Sequence, residues 1–401
     1  MDSLLRGLKV LDLTQYLSGP FGTQILGDLG AEVFKVEPPV GDLSRTVPPY
    51  EVAGVSTYYL AVNRNKLGMV LDLKTEAGRE AIHSLVPHVD VVVENFRPGI
   101  ADRLGVGWDE LRALNPQLVM CSVSGFGQTG PLRDLPAFDM VVQGLAGVMS
   151  LTGHPGERPA RTGVPIGDLA AGMYGAIGLL AGVVNARTTG VGSHVDVAML
   201  DSQIAMLSYL ASGYLASGEI PGRQGSAHQS VPTYRTFTCA DGVDVVVTAN
   251  TDGMWVSLCL ALDLGDMAAD PRFDTHAQRL ANRSTLEPLL EKAFAGIPSK
   301  TIVERLLGRV PVAPINDVAH ALEDPQAVHR GMVVDLVSDD GTVARSVGNP
   351  VKVGGITDPV AYPPGLGEHT EDILHRIAGL GAERIRELAQ AGAFGKVTTD
   401  V

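Results

Sequence analysis

The sequence predicts an α/β fold whose larger domain is a doubly wound, Rossmann-like parallel sheet, and two observations support this prediction. Over residues 8–127, short runs rich in Val and Leu alternate with stretches of helical periodicity, at the spacing of βαβ units. The apolar runs are almost continuous, without the regular alternation of polar residues, which is typical of parallel strands buried on both faces of a sheet.

The elements follow in order from these patterns. Strands are predicted at 8–13 (LKVLDL), 31–37 (AEVFKVE), 68–73 (GMVLDL), 89–95 (VDVVVEN) and 117–127 (QLVMCSVSGFG). Helices are predicted at 21–30, 76–88, 169–186 and 197–217. Beyond these elements, we expect a hairpin in 233–249 that turns at Asp241-Gly242, strands in 331–353 that return to a sheet, and two helices in 368–392.

Residues 218–230 (GEIPGRQGSAHQS) have the composition of a loop and indicate a domain boundary. A chain of 401 residues is too long for one ordinary core, since domains average roughly 150 residues. We therefore expect a large domain over 1–225, a smaller α+β domain over 226–325, and a segment over 326–401 that returns to the large domain.

The composition argues against several classes of partner. The formal net charge of −14 repels nucleic acid and anionic lipid at long range, so neither nucleic acid nor a membrane is an expected partner. No apolar run reaches the roughly 20 residues that a membrane-spanning helix needs, and the N-terminus lacks the features of a signal peptide. The three cysteines are far apart and form no CxxC pair, which favours a reduced, cytoplasmic location.

Common motifs for bound cofactors and metals are missing from the sequence. It contains no GxGxxG in the turn directly after the first predicted strand, no GxxxxGK[ST], no GxSxG, and no HExxH or paired Cys/His spacing. We therefore expect no permanently bound cofactor and no metal, and chemistry carried by a carboxylate becomes a serious option.

Asp168 lies in the most informative stretch, GVPIGDLAAGMYGAIGLLAG (163–182), where it directly precedes a predicted helix. That is the N-cap position, and capping alone would explain an Asp there. The same position favours ionisation, because the free N–H groups and the dipole of a helix N-terminus stabilise an anion. An ionised carboxylate can attack a thioester carbonyl, and nearby glycines leave room for an acyl group. The spacing alone leaves both interpretations open.

The same stretch, followed by GSHVDVAMLDS (192–202), resembles the family III CoA-transferases, the superfamily of formyl-CoA transferase and carnitine CoA-transferase. Further blocks resemble the family in order and spacing over essentially the whole chain: 8–39, 63–80, 91–107, 122–131, 136–153, 310–332 and 366–374. The pattern is closest to transferases that act on dicarboxylic acids, such as succinyl-CoA with glutarate. The resemblance implies an enzyme that moves CoA from an acyl-CoA to a carboxylic acid, and a homodimer of two interlocked chains.

The resemblance also implies roles for individual residues. Asp168 matches the nucleophile that carries aspartyl-acyl and aspartyl-CoA intermediates, and CoA is then a substrate and product of the enzyme. Residues matched to CoA binding are Leu17, Ser18, Leu71, Asp72, Leu73, Lys74, Asn95, Phe96, Arg97 and Arg103. Residues matched to the side of the acid substrate are Phe138, Asp139, Gly222 and Gly225.

The positions of Lys74, Arg97 and Arg103 agree with this assignment on independent grounds. Each follows a predicted strand, and the carboxyl ends of parallel strands form the ligand-binding edge of an α/β sheet. Cations that gather at this edge suit a polyanionic nucleotide, although each one taken alone is also compatible with an ordinary solvated charge.

Two positions depart from the formyl-CoA transferase pattern. Leu17 stands where that type has Gln, and Pro38 stands where it has Arg. The resemblance to formyl-CoA and oxalate as the substrate pair is therefore weakened at these positions. We expect Arg45 or Arg64 to take over the phosphate contact that the missing Arg would make.

Two other functions remain open at this point. An α-methylacyl-CoA racemase of the same superfamily has a His where this chain has Phe138, and Phe cannot carry the second proton that racemisation needs. A non-catalytic acyl-CoA-binding protein would keep Lys74, Arg97 and Arg103 but would not need Asp168.

Overall fold

The computed structural model describes residues 3–356 and 359–395. Positions 1–2, 357–358 and 396–401, which fall in the predicted segments 1–225 and 326–401, lie outside the described residues.

The described residues form strands, α-helices and two short 3₁₀ helices, at Leu43–Thr46 and Val86–His88. In chain order the strands are β1 (Lys9–Asp12), β2 (Glu32–Glu37), β3 (Glu51–Val52), β4 (Val55–Ser56), β5 (Lys66–Val70), β6 (Val91–Glu94), β7 (Val119–Ser124), β8 (Ser193–Ala198), β9 (Tyr234–Thr238), β10 (Asp244–Thr248), β11 (Val312–Pro314), β12 (Val333–Val337) and β13 (Val343–Val347). In chain order the α-helices are α1 (Ser18–Asp28), α2 (Thr57–Val62), α3 (Glu76–Leu85), α4 (Ile100–Arg103), α5 (Trp108–Leu114), α6 (Asp139–Leu145), α7 (Val148–Leu151), α8 (Ile166–Thr189), α9 (Met199–Met206), α10 (Ser208–Ser217), α11 (Asp252–Ala261), α12 (Gly265–Ala268), α13 (His276–Ala281), α14 (Arg283–Phe294), α15 (Ser299–Leu306), α16 (Val318–Glu323), α17 (Pro325–His329), α18 (Thr370–Arg376) and α19 (Ala382–Gln390).

The chain divides into two compact units. The first unit comprises residues 1–148, 161–219 and 325–401, and the second comprises residues 149–160 and 220–324. This division differs from the expected boundaries, because the main segment of the second unit covers 220–324 instead of 226–325 and the unit also takes residues 149–160 from within 1–225.

Hydrogen bonds inside the second unit explain the difference. The N–H of Gly225 donates to the carbonyl of Gly153 at 3.0 Å. The guanidinium of Arg223 donates to the carbonyl of Glu157 at 2.6 Å. The two segments that the sequence pattern assigns to the large domain are therefore joined to each other, a long-range pairing that local composition does not reveal.

The first unit is built on a six-stranded sheet with the order β5-β2-β1-β6-β7-β8, in which every adjacent pair is parallel. Val10 and Leu11 belong to two different core clusters, one on each face of the sheet. Because successive side chains of a strand point to opposite faces, burial of both faces requires apolar residues at nearly every position. The predicted α/β class and its parallel sheet are confirmed.

Helices cover both faces of this sheet. On one face α3, α18 and α19 supply Ile82, Ile373 and Leu388 to the core. On the other face α1 and α8 supply Leu26 and Leu179. Each fully buried side chain of this type contributes roughly 1.5–3 kcal/mol by leaving water.

The segment before α18 closes one edge of the sheet. The N–H of His369 donates to the carbonyl of Gly68 at 2.8 Å, and the N–H of Val70 donates to the hydroxyl of Thr370 at 3.0 Å. Among the residues described, strand β5 has a strand neighbour on one side only, and it is paired on its other side by these residues from far along the chain.

Glycines allow α1 and α8 to approach closely. A Cβ added at Gly172 would lie 2.5 Å from the carbonyl oxygen of Ser18, and one added at Gly22 would lie 2.7 Å from the carbonyl oxygen of Gly172. Any side chain at these positions would separate the two helices.

By length and composition, α8 is apolar enough to span a membrane, and half of its most apolar 18-residue window is buried, as in the core helix of a globular protein.

Several elements differ from the sequence-based expectation. Helix α8 begins at Ile166, earlier than the predicted start at 169. The predicted helix 197–217 is two helices, α9 and α10, separated where Ser208 adopts a left-handed φ of 49°. Strand β8 was not predicted. Strands β12 and β13 form an antiparallel hairpin of their own, packed on Tyr59 and Leu60, and do not return to the main sheet.

The second unit contains a three-stranded antiparallel sheet with the order β11-β10-β9. The predicted hairpin is confirmed, since β9 and β10 pair across a turn in which Gly242 has a positive φ of 76°. Phe237, Trp255 and Phe294 lie in the core beneath this sheet.

Candidate active site

A cleft of about 290 Å³ opens where β1, β6 and β7 end, at the carboxyl edge of the parallel sheet. The connections that follow these strands line it, together with the start of α8. Among the predicted site residues, the structure brings the following into this one cleft: Leu17, Ser18, Asn95, Phe96, Arg97, Phe138 and Asp168.

Other predicted residues lie outside the cleft. Leu71 is buried in the core of the first unit, and the carboxylate of Asp72 accepts the N–H of Lys74 at 3.1 Å. Leu73 packs against the same core, whereas the side chains of Lys74 and Arg103 are exposed. Gly222 and Gly225 belong to the second unit, where the positive φ of Gly225 is 61°.

Asn95 connects the end of β6 to the turn that follows β1. Its carbonyl oxygen accepts the N–H of Gln15 at 2.8 Å, and its amide nitrogen donates to the carbonyl of Gln15 at 2.8 Å. This two-way contact fixes the backbone just before Tyr16, which adopts a left-handed φ of 63° and lines the cleft. The side chain of Asn95 thus positions the wall formed by Leu17 and Ser18.

A buried ion pair supports the same turn from below. The ammonium group of Lys35 donates to the carbonyl of Thr14 at 2.6 Å and pairs with the carboxylate of Asp42 at 2.7 Å. Asp42 also accepts the N–H of Tyr16 at 3.3 Å. Burial opposes ionisation of Asp42, but the charge and hydrogen bond of Lys35 and the hydrogen bonds from Ser44 together outweigh burial and lower the pKa of this carboxyl.

Glu94 supports the turn on the other side of the cleft. Its carboxylate accepts the N–H of Phe96 at 2.7 Å, and its side chain is only 3% exposed. Burial raises the pKa of Glu94 to about 7, against the effect of a hydrogen bond from Ser122. Sequence reasoning overlooked this residue, although an acidic residue at the end of an otherwise apolar strand is a visible signal.

Asp168 is the third residue of α8 and is not its N-cap, which corrects the expectation from the sequence. The N-cap position is occupied by Pro165, which offers no side-chain acceptor. The carboxylate of Asp139 provides the acceptor instead, because it receives the N–H of Gly167 at 2.7 Å. Asp168 itself makes no side-chain hydrogen bond within the described residues, so its carboxyl is available to a ligand.

Asp139 is held in turn by Gln143, one turn further along α6. The amide nitrogen of Gln143 donates to Asp139 at 2.6 Å, and its amide oxygen accepts the N–H of Thr162 at 2.9 Å. The loop before α8 and the first turn of α8 are therefore fixed by two side chains of α6. Asp139 therefore has a structural role, which is to hold the first turn of α8, in addition to the substrate-side role that the resemblance implies.

The ionisation of Asp168 also differs from the expectation. Burial, followed by the negative charge of Asp139, raises the pKa of Asp168 to about 7. The helix N-terminus does not hold this carboxyl fully ionised, because burial and the second negative charge of the capping carboxylate both oppose its ionisation. Near neutral pH, both the protonated and the ionised forms of Asp168 are populated.

Neither Arg45 nor Arg64 is free to contact a phosphate, contrary to expectation. The guanidinium of Arg45 makes a bidentate pair with Glu37 at 2.6 and 2.7 Å. The guanidinium of Arg64 pairs with Asp28 at 2.5 Å and is only 4% exposed. Both guanidinium groups are therefore occupied by ion pairs within the protein. By contrast, Lys74, Arg97 and Arg103 are exposed and form no side-chain ion pair with the described residues.

Sequence reasoning also overlooked Tyr58, Arg133 and Met199, which line the cleft. Burial, and then the charge of Asp168, raises the pKa of Tyr58 to about 12. No local pattern marks these residues, because they come from distant parts of the chain: Tyr58 from α2, Arg133 from the connection after β7, and Met199 from the start of α9. Across residues 3–356 and 359–395, no group of three His, Cys, Asp or Glu side chains is placed to hold a metal ion.

Residues 5–370 match the family described as CoA-transferase family III, and the chain belongs to this family. The resemblance found in the sequence is thereby confirmed.

Among known proteins, the chain is 39% identical to the succinyl-CoA:mesaconate CoA-transferase of Haloarcula hispanica, over 95% of this chain and 98% of that one. It is 37% identical to the succinate–glutarate CoA-transferase of Agrobacterium fabrum, over 92% of this chain and 94% of that one. The crystal structure of a CAIB/BAIF family protein from Brucella suis matches with a TM-score of 0.84 and 37% identity, over 94% of this chain and 100% of that one.

Proposed function

We propose that this CoA-transferase moves CoA from an acyl-CoA to a dicarboxylic acid, and that Asp168 carries the acyl group and then CoA as covalent intermediates. The observation that carries the proposal is the carboxyl of Asp168, which lines a cleft at the carboxyl edge of the sheet and makes no side-chain hydrogen bond to any residue that the structure describes. Relatives that act on mesaconate and on succinate with glutarate support dicarboxylic acids as the substrates.

CoA would bind along the connections that follow β1 and β6. The backbone around Leu17 and Ser18 offers a narrow wall for the pantetheine arm, and Phe96 offers an aromatic face. Arg97 supplies positive charge to the phosphates at the same edge. Leu71 to Lys74 and Arg103, which do not line the cleft, keep their proposed contacts with the distal end of the nucleotide.

The reaction begins when an ionised oxygen of Asp168 attacks the thioester carbonyl of the donor. The C–S bond breaks, CoA leaves as the thiolate, and a mixed anhydride joins the acyl group to Asp168. The thiolate then attacks the side-chain carbonyl of Asp168, which gives an aspartyl-CoA thioester and releases the donor acid.

The acceptor acid reverses these steps. Its carboxylate attacks the aspartyl-CoA thioester and forms a second anhydride, and the released thiolate attacks the acyl carbonyl of that anhydride. The products are the new acyl-CoA and the regenerated carboxylate of Asp168. Backbone N–H groups at the start of α8 are proposed to stabilise the tetrahedral oxyanions.

The perturbed pKa of Asp168 suits this chemistry. A carboxylate whose pKa is about 7 is more basic than an ordinary Asp and is a better nucleophile, while a large fraction stays ionised at neutral pH. The proton balance closes without a general acid, because the thiolate that leaves in one step is the nucleophile of the next.

Trapping tests the covalent route. The enzyme is incubated with acyl-CoA alone, treated with hydroxylamine or borohydride, digested, and analysed by mass spectrometry. We expect the modification on the peptide that contains Asp168, and we expect Asp168→Ala to lose at least about a thousandfold in kcat. Transfer at the wild-type rate by Asp168→Ala would contradict the covalent role.

A panel of mono- and dicarboxylic acids from C2 to C6 tests the substrate class. We expect dicarboxylic acids to be preferred, and indifference to the second carboxylate would contradict that preference.

The racemase alternative predicts deuterium exchange at the α-carbon of a branched acyl-CoA. Among the described residues that line the cleft there is no histidine to serve as the second base. Tight CoA binding with no turnover of any acid would favour the binding protein.

A homodimer of interlocked chains is also proposed. Met173, Ile177 and Val184 follow one another at helical spacing on α8 and are 41%, 62% and 66% exposed. Apolar side chains exposed along a helix mark a surface that a partner covers. Light scattering should give twice the 42.1 kDa of one chain, and differently tagged dimers should exchange subunits only after unfolding. A wild-type monomer, or rapid exchange, would contradict this proposal.

A cytoplasmic location is proposed as well. Cys121, Cys239 and Cys259 are all free and buried, which agrees with a reducing compartment. Cell fractionation with an antibody against the native chain tests the location, and recovery outside the cytoplasmic fraction would contradict it.

A further inference from the structure

The cleft around Asp168 receives positive charge from two arginines, Arg97 and Arg133, and its other lining residues in the described chain are apolar, aromatic, amide or hydroxyl-bearing. A dicarboxylic substrate brings a second negative charge into a site whose nucleophile is itself an anion. The net charge of the chain, −14, adds to the repulsion. Binding of a dicarboxylic acid therefore requires a local cation near its second carboxylate.

The two arginines lie on different connections. Arg97 belongs to the turn after β6, and its carbonyl accepts the N–H of Ile100 at 3.0 Å, at the start of the helix that ends in Arg103. Arg97 is thus grouped in sequence and structure with a second exposed cation. A pair of cations on one connection suits the multiple phosphates of a nucleotide better than a single carboxylate.

Arg133 belongs to the connection between β7 and α6, which leads directly to Asp139. The carboxylate of Asp139 holds the N–H of Gly167, the residue before Asp168. The connection that carries Arg133 is therefore the one that is fixed to the first turn of α8. Arg133 and Asp168 line the same cleft.

The guanidinium of Arg133 is available for a ligand. Its partner within the described residues is the adjacent Asp134, which its Nε meets at 3.4 Å, and the two side chains are 43% and 80% exposed. An exposed pair of this kind contributes little and exchanges easily. The two terminal nitrogens make no hydrogen bond to the part of the chain that the structure describes, so they can form the parallel hydrogen bonds by which arginine binds a carboxylate.

From these observations we infer that Arg133 binds the non-reacting carboxylate of a dicarboxylic acyl group and so sets the preference of the enzyme for dicarboxylic over monocarboxylic acids. The inference rests on the proposed function. A monocarboxylic acid of equal length places a methyl group beside the same guanidinium and gains nothing from it, so the two kinds of acid respond differently to a change at this residue.

The test compares Arg133→Gln with wild type on acceptor pairs of equal length, glutarate against pentanoate and succinate against butanoate. We expect kcat/KM for the dicarboxylic acids to fall about tenfold to a hundredfold in Arg133→Gln, while the values for the monocarboxylic acids stay within about twofold. Arg133→Lys, which keeps the charge but loses the bidentate geometry, should fall between the two.

Two further measurements separate this role from others. We expect Arg133→Gln to raise the KM for succinyl-CoA as donor and to leave the KM for acetyl-CoA unchanged. An equal rise for both donors would assign Arg133 to the nucleotide and overturn the inference. Asp134→Asn, the matched control, should retain at least the wild-type kcat/KM for glutarate. A fall in Asp134→Asn that equals the fall in Arg133→Gln would show that the ion pair only supports the loop, and would also overturn it.

Failure of the inference is distinct from failure of the proposed function. If wild type transfers CoA to dicarboxylic acids but Arg133→Gln loses both kinds of acceptor equally, the inference is wrong and the function stands. If wild type transfers CoA to no acid of the panel, the proposed function fails first. Thermal unfolding of each variant confirms that the comparison is made on folded protein.

Discussion

The carboxylate of Asp139 accepts the backbone N–H of Gly167 at 2.7 Å, one residue before the nucleophile proposed for this enzyme. The contact joins α6 to the first turn of α8 and fixes the direction in which Asp168 points. It also brings a second negative charge close enough to raise the pKa of Asp168. One side chain thus helps to fix the position of another and, together with burial, raises its pKa.

The pH dependence of activity should report this coupling. The ionised form of Asp168 is the nucleophile, so kcat/KM of wild type should rise with pH through a midpoint near 7. Asp139→Asn removes the charge but keeps an oxygen that can accept the N–H of Gly167. We expect the midpoint to move below 7, because the effect of burial remains while the effect of Asp139 is lost. An unchanged midpoint in the kcat/KM profile would show that the two carboxyls are not coupled.

Gly167 should not tolerate a side chain. A Cβ there would lie 2.1 Å from the amide nitrogen of Gln203 and 2.9 Å from a carboxylate oxygen of Asp139. We expect Gly167→Ala to lose about tenfold or more in kcat/KM and about 1–3 kcal/mol of unfolding free energy, measured by urea denaturation. Gly163→Ala is the control, since a Cβ at Gly163 meets nothing within 4 Å and should change stability by less than about 0.5 kcal/mol. Equal effects in the two variants would argue against the packing explanation.

Removal of the nucleophile should stabilise the protein at alkaline pH. The pKa of Asp168 is raised from 3.8 to about 7 in the folded state, so this group lowers stability progressively as pH rises from about 4 to about 7, and the loss persists above 7. Asp168→Asn removes the penalty, and we expect a gain on the order of 1 kcal/mol at pH 8 and no gain at pH 4. Urea denaturation at the two pH values checks this expectation, and an equal effect at both would contradict it.

The close approach of α1 and α8 predicts that a side chain at Gly172 lowers the unfolding free energy, whereas a side chain at Gly213, a helical glycine outside this contact, raises it. Gly172→Ala would push a Cβ to 2.5 Å from the carbonyl oxygen of Ser18, so we expect a loss of about 1–3 kcal/mol of unfolding free energy. Gly213→Ala, inside α10, meets nothing within 4 Å and should gain up to about 1 kcal/mol from helix propensity. Thermal or urea unfolding distinguishes the two, and a gain in Gly172→Ala would mean that the helices can separate without cost.

The strands of the parallel sheet were predictable because burial on both faces leaves an unbroken apolar run. Strand β8 escaped prediction because it lacks that run: Ser193, His194 and Asp196 are polar, and the strand lies at the edge of the sheet. The break between α9 and α10 also left no local signal, since Ser208 is not a residue type that commonly marks a left-handed turn.

The blocks that resemble a family made individual residues of the site predictable. They did not predict which side chains contact one another in the fold. Asp168 was recognised, yet the residue that caps its helix lies 28 positions before Gly167 and on another helix. Local sequence indicates which residue types can cap, but it does not reveal which carboxylate the fold brings there. The same limit applies to Arg45 and Arg64, whose partners, Glu37 and Asp28, are set by tertiary packing.

The pairing of β5 with His369 and Thr370 has a consequence for biosynthesis. The two partners in one of these hydrogen bonds are 300 positions apart, so a ribosome needs about 15 to 60 seconds to deliver the second after the first. Throughout that interval an unprotected strand of the nascent chain can recruit other polypeptides. Premature stop codons upstream of residue 369 should therefore yield inclusion bodies, and a holdase chaperone should matter more to the yield of this enzyme than to its activity once made.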